Sequence, residues 1–454
     1  MGKELNNHCS NGLLAEGFEK QYSVDSTPIS ISFRTLFPEL RSERYTHLIH
    51  SYPAKLLCHI PYFFLNNTYF SQKGEMVLDP FCGTGTVLLE ANLAERCAIG
   101  ADANPLARKI AAVKTRKLDV IRLKKKLVSL ISKAQKLSTA ECPDVINRDF
   151  WFPVKTQKQL SKILQAISEL PTDEYKDFFE ICFSNCVKKV SYADPRIAVP
   201  VKINPKRFDE ESDRYKKATK RLFELESIDV FEKFKSIAIN NIIRIESLPD
   251  SISDVSSKIV SENARLLTST IGSDELLPDG SIDMILTSPP YAGAQKYIRS
   301  SSLNLGWLGL TANETLRDLD KKNIGRENYL SSEIKEIKTG IKSADRLLPI
   351  LFQKNSLRAH IVANYLMEMK DAIDESIRVL RKGGYFVIVI GNNKVCDMEF
   401  NTQEYLSEYI QSKGIELKFR LIDDIKSYGL MTKRNKTADI ISREWILVFR
   451  KKEK

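Results

Sequence analysis

The chain has 454 residues, 43% of them apolar and 28% charged, an ordinary globular composition with ample core material that excludes disordered, collagen-like and coiled-coil classes. No run approaches the ~18 consecutive apolar residues of a membrane helix, the start MGKELNNHCS lacks a signal-peptide core, and the eight cysteines form no CxxC pair, so a reducing, cytoplasmic setting without membrane attachment is expected. The formal net charge of +11 produces a field that attracts polyanions.

In chain order, residues 1–44 are expected to be an N-terminal arm, polar and unpatterned in its first 30 positions and loosely held. Met76–Leu78 is expected as a short buried strand, Thr86–Ala94 as a helix, Cys97–Ala101 as a second strand, and Pro105–Val113 as a helix with proline in its first turn. Strand, glycine turn, helix and strand make a βαβ unit and imply a parallel sheet.

Residues 118–265 change character to long charged segments. Leu160, Ile163, Leu164 and Ile167 have helical spacing, as do Phe179, Phe183, Cys186 and Val190. Residues 114–265 hold 30 Lys/Arg and 22 Asp/Glu, so +8 of the net +11 lies there. The clusters Arg122/Lys124/Lys125/Lys126 and Arg214/Lys216/Lys217/Lys220/Arg221 read singly as solvated helix faces and together as a weak nucleic-acid signal. Cys182 and Cys186 lie one helical turn apart without a second pair, which favours core packing over a metal site.

The α/β pattern resumes with a buried strand at 281–287. A mixed segment follows at 294–350, then an amphipathic helix (Val362, Leu366, Met369, Ile373, Ile377, Leu380) and the strand Tyr385–Ile390. A helix at about 402–412 and the strands Glu416–Leu421 and Glu444–Arg450 complete it. Residues 45–117 and 266–454 are best read as one sheet domain carrying 118–265 as a helical insertion.

The first strand leads into Asp79-Pro-Phe-Cys-Gly-Thr-Gly-Thr86. Gly83 and Gly85 let the backbone approach a ligand where a strand becomes a helix. A phosphate loop would need a Lys after the turn, and a dinucleotide fold would need a small residue where Leu88 stands. S-adenosylmethionine (SAM) suits the pattern better: Asp79 at the strand end faces the cationic end of the cofactor, and Asp102, 23 residues on, accepts the ribose hydroxyls. Asp274, before the next strand, is a candidate for the adenine amino group.

Directly after the strand at 282–287 stands Ser288-Pro289-Pro290-Tyr291. Two prolines stiffen the segment and leave carbonyls that only accept, beside an aromatic ring suited to stacking on a heterocycle. At the C-terminal end of a parallel strand this reads as a site rather than a rigid turn.

DPFCGTGT, Asp102-Ala-Asn104-Pro105 and TSPPY together resemble the SAM-dependent DNA amino-methyltransferases, which modify adenine N6 or cytosine N4. The stretch His50-Ser-Tyr-Pro-Ala-Lys55 resembles that family's motif closing over the methionine end of the cofactor, and RKGGYFVIVIGN resembles its fifth-strand segment. The resemblance covers roughly 45–117 and 266–395. It implies a doubly wound, mostly parallel, seven-stranded class I methyltransferase sheet of Rossmann-like type. It also implies a cofactor site drawn from Lys55, Asp79, Pro80, Phe81, Gly83, Gly85, Thr86, Asp102, Asn104 and Asp274, and a catalytic segment Ser288, Pro289, Pro290 and Tyr291. Ser before PPY is similar to the cytosine-N4 group. The partners so implied are double-stranded DNA with its target base flipped and a cognate restriction endonuclease, in the cytoplasm and on the nucleoid in a prokaryote.

The cofactor motifs precede the SPPY motif, an order that many SPPY enzymes permute, so the insertion at about 118–262 is the first candidate for target reading and 294–350 the second. No Pro-Cys dipeptide supports a covalent cytosine-C5 route, and Cys82 reads as cofactor-turn wall. His47, His50, Cys58 and His59 fit no standard metal spacing, so no metal is expected. The rivals are an adenine-N6 enzyme, an RNA base amino-methyltransferase and a non-catalytic nucleic-acid-binding homologue.

Overall fold

The computed structural model describes residues 2–53, 55–292, 297–311, 315–425 and 443–453, with side chains from residue 12 onward. Ala54, within the His50–Lys55 stretch, lies outside the described residues. Ten strands are described: β1 (Ile29–Ser30), β2 (Met76–Asp79), β3 (Cys97–Ala101), β4 (Ser257–Ser261), β5 (Ile282–Thr287), β6 (Leu380–Ile390), β7 (Asn393–Val395), β8 (Met398–Phe400), β9 (Ile415–Asp424) and β10 (Arg443–Lys451). Eight form one sheet in the order β1-β9-β10-β6-β5-β2-β3-β4, and β7 and β8 pair separately. All neighbours are parallel except β10, which runs antiparallel to both β6 and β9. The expected doubly wound, mostly parallel sheet is therefore present, with eight strands instead of seven.

The central strands form because continuous apolar runs are buried from both sides, as parallel sheets require. Val77, Leu78, Met284, Ile285 and Leu286 have no exposed surface. One face carries the helices His59–Leu65 and Thr86–Leu93, with Phe63, Phe64, Val87 and Leu88 in the core. The other carries Ser356–Val379 and Thr402–Ser412, with Leu366, Met369, Ile373 and Leu406.

Two expectations need correction. The loosely held arm is a helix, Gly2–Asp25, and an edge strand. Ala15, Phe18 and Tyr22, at helical spacing, reach the core beside Phe63 and Phe419, and Ile29 and Ser30 pair with Leu421 and Ile422. The helical insertion also ends earlier than 265, because Ser257–Ser261 pairs with β3 as the outermost strand.

The insertion comprises the helices Val120–Lys136, Val154–Ser168, Glu174–Lys189, Asp213–Ser227 and Val230–Glu246. Phe178, Phe179 and Phe183 are fully buried in its centre, each contributing about 1.5–3 kcal/mol of hydrophobic stabilisation. Cys182 and Cys186 are buried there as well, and Asn241 Nδ2 donates to Cys182 Sγ at 3.4 Å. This core is continuous with Leu106 and Ile110 under the sheet and with Trp307. Near the C-terminal edge of the strands, Asn304 Nδ2 donates to the Ser184 carbonyl at 2.6 Å, and the Ser51 N–H donates to Asn185 Oδ1 at 3.4 Å. The insertion is thereby bolted to the segment that precedes Tyr52.

Candidate active site

The strand order reverses between β2 and β5, and these adjacent strands carry the glycine turn and the SPPY tetrapeptide at their C-terminal ends. In doubly wound sheets the ligand crevice opens at that point. A hydrogen bond joins the two motifs: Thr287 Oγ1 donates to Asp79 Oδ1 at 2.6 Å, and the Phe81 N–H donates to the same oxygen at 3.1 Å. Asp79 is buried, and burial pushes its carboxyl up to about 7 against the opposing pull of those two donors. Its place is beneath the turn, as a tie between strands.

Gly83 and Gly85 both have positive φ, 49° and 75°. At Gly85, the N-cap of Thr86–Leu93, a Cβ would also fall 2.9 Å from Ala111 Cβ, so the turn needs glycine for conformation and for clearance. Asp102 reaches over from the end of β3. Its Oδ2 accepts the Gly83 N–H at 2.9 Å and its Oδ1 accepts the Asn104 N–H at 2.8 Å. Burial nonetheless raises this carboxyl from its ordinary value.

Asn104 caps Pro105–Lys114 by accepting the Leu106 N–H at 3.0 Å. Its Nδ2 donates to Tyr52 Oη at 2.9 Å and to Ser301 Oγ at 3.3 Å. One side chain thus links the cofactor-side helix, the His50–Lys55 stretch and the helix Tyr297–Trp307 that follows the tetrapeptide.

Both motifs line one cleft. Pro80, Phe81, Gly83 and Asp102 face Ser288 and Pro290 across it, with Tyr52, Tyr297, Glu262–Ala264 and Lys322–Ile324 closing the sides. It offers room for about 90 Å³ of water-sized occupants, and about 670 Å³ when space open to solvent is counted. Gly85, Thr86, Asn104, Pro289 and Tyr291 are not among the residues that line it. Tyr291 is half-buried and turns its hydroxyl to Glu444, donating to Oε1 at 3.1 Å. Lys55 Nζ donates to the carbonyls of His50 (2.8 Å) and His47 (3.1 Å), and burial lowers its ammonium to about 8. It does not line the cleft.

Asp274 is exposed on the loop before β5 and is not brought to the cleft. The end of β4 supplies Glu262 and Asn263 instead. Arg108 Nη2 sits 3.1 Å and Lys322 Nζ 3.7 Å from Glu262, which bridges the two sides of the cleft. The sequence reading missed both residues because β4 was assigned to the insertion. The signal available was the β-branched pair in Ser257-Lys-Ile-Val-Ser261 immediately before the polar Glu262-Asn263.

Among the described residues, His47, Cys58 and Glu90 bring ligand-type atoms within 4.8 Å of one another. Arg44 is already ion-paired with Glu90, and burial pushes the Cys58 thiol up to about 11. A guanidinium occupies the electrostatic role a metal cation would take, and no metal is assigned.

The chemistry of the cleft fits an adenosyl sulfonium ligand. Asp102 offers carboxylate acceptors at the end of β3, Phe81 and Ile324 offer apolar walls, and the Gly83 backbone needs no side-chain clearance. The fold is the α/β arrangement of class I SAM-dependent methyltransferases. Residues 43–113 match the family model for DNA methylases. The chain is 23% identical over 424 residues to the type II methyltransferase M.MvaI of Kocuria varians, covering 89% of each chain. It is 22% identical over 389 residues to the type II methyltransferase M.AvaI of a Nostoc species, covering 78% of this chain and 76% of that one. A solved SAM-dependent methyltransferase from Methanosarcina mazei covers 85% of this chain and 97% of its own at 10% identity, with a TM-score of 0.29, too loose a superposition to carry any argument. The matches support the SAM-dependent DNA amino-methyltransferases as the group this chain is similar to, a group whose fold implies S-adenosylmethionine as cofactor. Among the described residues no helix is long and apolar enough to cross a membrane.

Proposed function

We propose that the protein methylates the N4 amino group of a cytosine flipped out of double-stranded DNA at a specific site. The observation that carries the reading is the shared cleft, in which Asp102 and Gly83 from the cofactor side face Ser288 and Pro290 from the acceptor side. S-adenosylmethionine, when bound, supplies a methyl group activated by a sulfonium. Asp102 holds the ribose hydroxyls, Phe81 lies against the adenine, and Asn263 replaces Asp274 as the candidate for the adenine edge.

An exocyclic amine is a weak nucleophile because its lone pair is delocalised into the ring. Ser288 Oγ and the Pro289 carbonyl accept its N–H bonds, turn the lone pair toward the methyl group and stabilise the positive charge that develops. Tyr291 stacks on the base. Positioning of this kind supplies roughly 7–11 kcal/mol of a barrier. A base inside a duplex cannot enter the cleft, so the target is everted at a cost of a few kcal/mol. The serine before Pro-Pro-Tyr favours cytosine N4, and the similarity to type II methyltransferases supports a DNA substrate and a cognate endonuclease as partner.

Purified protein incubated with methyl-labelled cofactor and duplex DNA is expected to yield N4-methylcytosine after nuclease digestion. N6-methyladenine would move the target base and keep the class. Labelling of tRNA or rRNA with none of DNA would overturn the substrate, and absence of cofactor binding by calorimetry would favour a non-catalytic homologue.

A further inference from the structure

Tyr291 belongs to the tetrapeptide, yet its hydroxyl is anchored outside it. Trp445 lies opposite Ile390, the last residue of β6, so antiparallel β10 brings Glu444 to the sheet edge at which Thr287 passes into Ser288. There Glu444 Oε1 accepts the Tyr291 hydroxyl at 3.1 Å. The ring itself packs on the apolar layer containing Tyr365 and Ile324. We propose that Glu444 is the positioning residue for Tyr291, fixing the ring beside Ser288 and Pro290 in the orientation that receives the target base. The inference rests on the methyltransferase reading above and adds to it a residue that no motif contains.

Three groups bear on this contact. Ser288 and Tyr297 act on the Tyr291 hydroxyl, the first through a hydrogen bond, and Asp423 stands opposite Glu444 across the β9–β10 ladder. Burial first, and then the Asp423 charge, push the Glu444 carboxyl up to about 7. The carboxylate, the stronger acceptor, therefore prevails only above neutrality. The ordered hydroxyl–carboxyl pair removes ring freedom that the free enzyme would otherwise lose on binding the base.

The test compares wild type with Glu444→Gln, Glu444→Ala and Tyr291→Phe in methyl transfer to duplex DNA. Glu444→Ala is expected to lower kcat/KM for DNA by about tenfold or more, as loss of a charge-assisted hydrogen bond does, with the cofactor dissociation constant unchanged. Glu444→Gln keeps an acceptor oxygen and is expected to restore most of the activity, without the rise in kcat/KM through pH 7 that is expected of wild type. Tyr291→Phe, which keeps the ring and does not threaten the fold, is expected to reproduce the loss and to be non-additive with Glu444→Ala. Wild-type values for Glu444→Ala and Tyr291→Phe, or a Gln variant as impaired as the Ala variant, overturn the role while the reaction stands. A wild-type protein inert on all DNA tested overturns both.

Discussion

In the sheet, the central strands are buried along both faces and hand their C-terminal ends to short loops; in the insertion, the outer helices pack around the buried Glu174–Lys189, bury one stripe and leave a charged face to solvent. Thr86–Leu93, against the sheet, buries seven of its eight residues, from Thr86 to Asn92. Asp213–Ser227 buries only Ala218 and Leu225 and exposes Arg214, Lys216, Lys217 and Lys220. The first kind of packing fixes atoms to fractions of an ångström, as chemistry requires. The second leaves a surface free to meet a polyanion, where long-range charge matters more than placement. The contrast fits the function proposed above if reaction belongs to the sheet edge and target reading to the insertion.

Substitutions that separate reaction, cofactor affinity and DNA affinity sharpen or break this division. The largest effect is expected for Ser288→Ala, a roughly 10²–10³-fold fall in the rate of methyl transfer, as for loss of a group that stabilises developing charge, with cofactor binding by calorimetry unchanged. An active Ser288→Ala variant would remove the tetrapeptide from the reaction. Asp102→Ala comes next: cofactor affinity should drop about 10–100-fold for the loss of charge-assisted hydrogen bonds, with DNA affinity in a mobility-shift assay retained. Equal weakening of both would show that the cleft and the DNA surface are one unit. The smallest effect is expected for Lys216→Ala/Lys217→Ala/Lys220→Ala on the insertion. It should flatten the dependence of log affinity on log salt by up to about three phosphate contacts, leaving cofactor binding alone. An unchanged salt slope would exclude this helix from the DNA-facing surface.

The same contrast explains what could be read from the sequence. Cys97–Ala101 is a strand at the expected residues, and β2 extends only one residue beyond expectation, to Asp79. Each is a short apolar run closed by an acid, and the βαβ spacing between them is strict. The helices of the insertion were visible from buried residues at helical intervals, as with Leu160, Ile163 and Ile167. What escaped was structure made by partners distant in sequence. β4 has only its last two residues buried and follows a helical stretch. β1 is two residues long and exists through pairing with β9. At the cleft, the motifs meet at one sheet edge, but the roles expected of the aspartates followed their spacing. Asp79 lies under the turn and Asp274 outside the cleft, whereas Asn263 and Glu444 arrive through sheet order and antiparallel register, which no local pattern encodes.

Thr287 and Asp79 are separated by 208 positions and joined by one hydrogen bond. Donor half and acceptor half are therefore soldered together through space, and the covalent route between them is a tether of arbitrary length. A gene encoding the pieces in rotated order, with new ends opened in an exposed loop, would rebuild the same junction. Chain order is thereby uncoupled from the geometry of this junction.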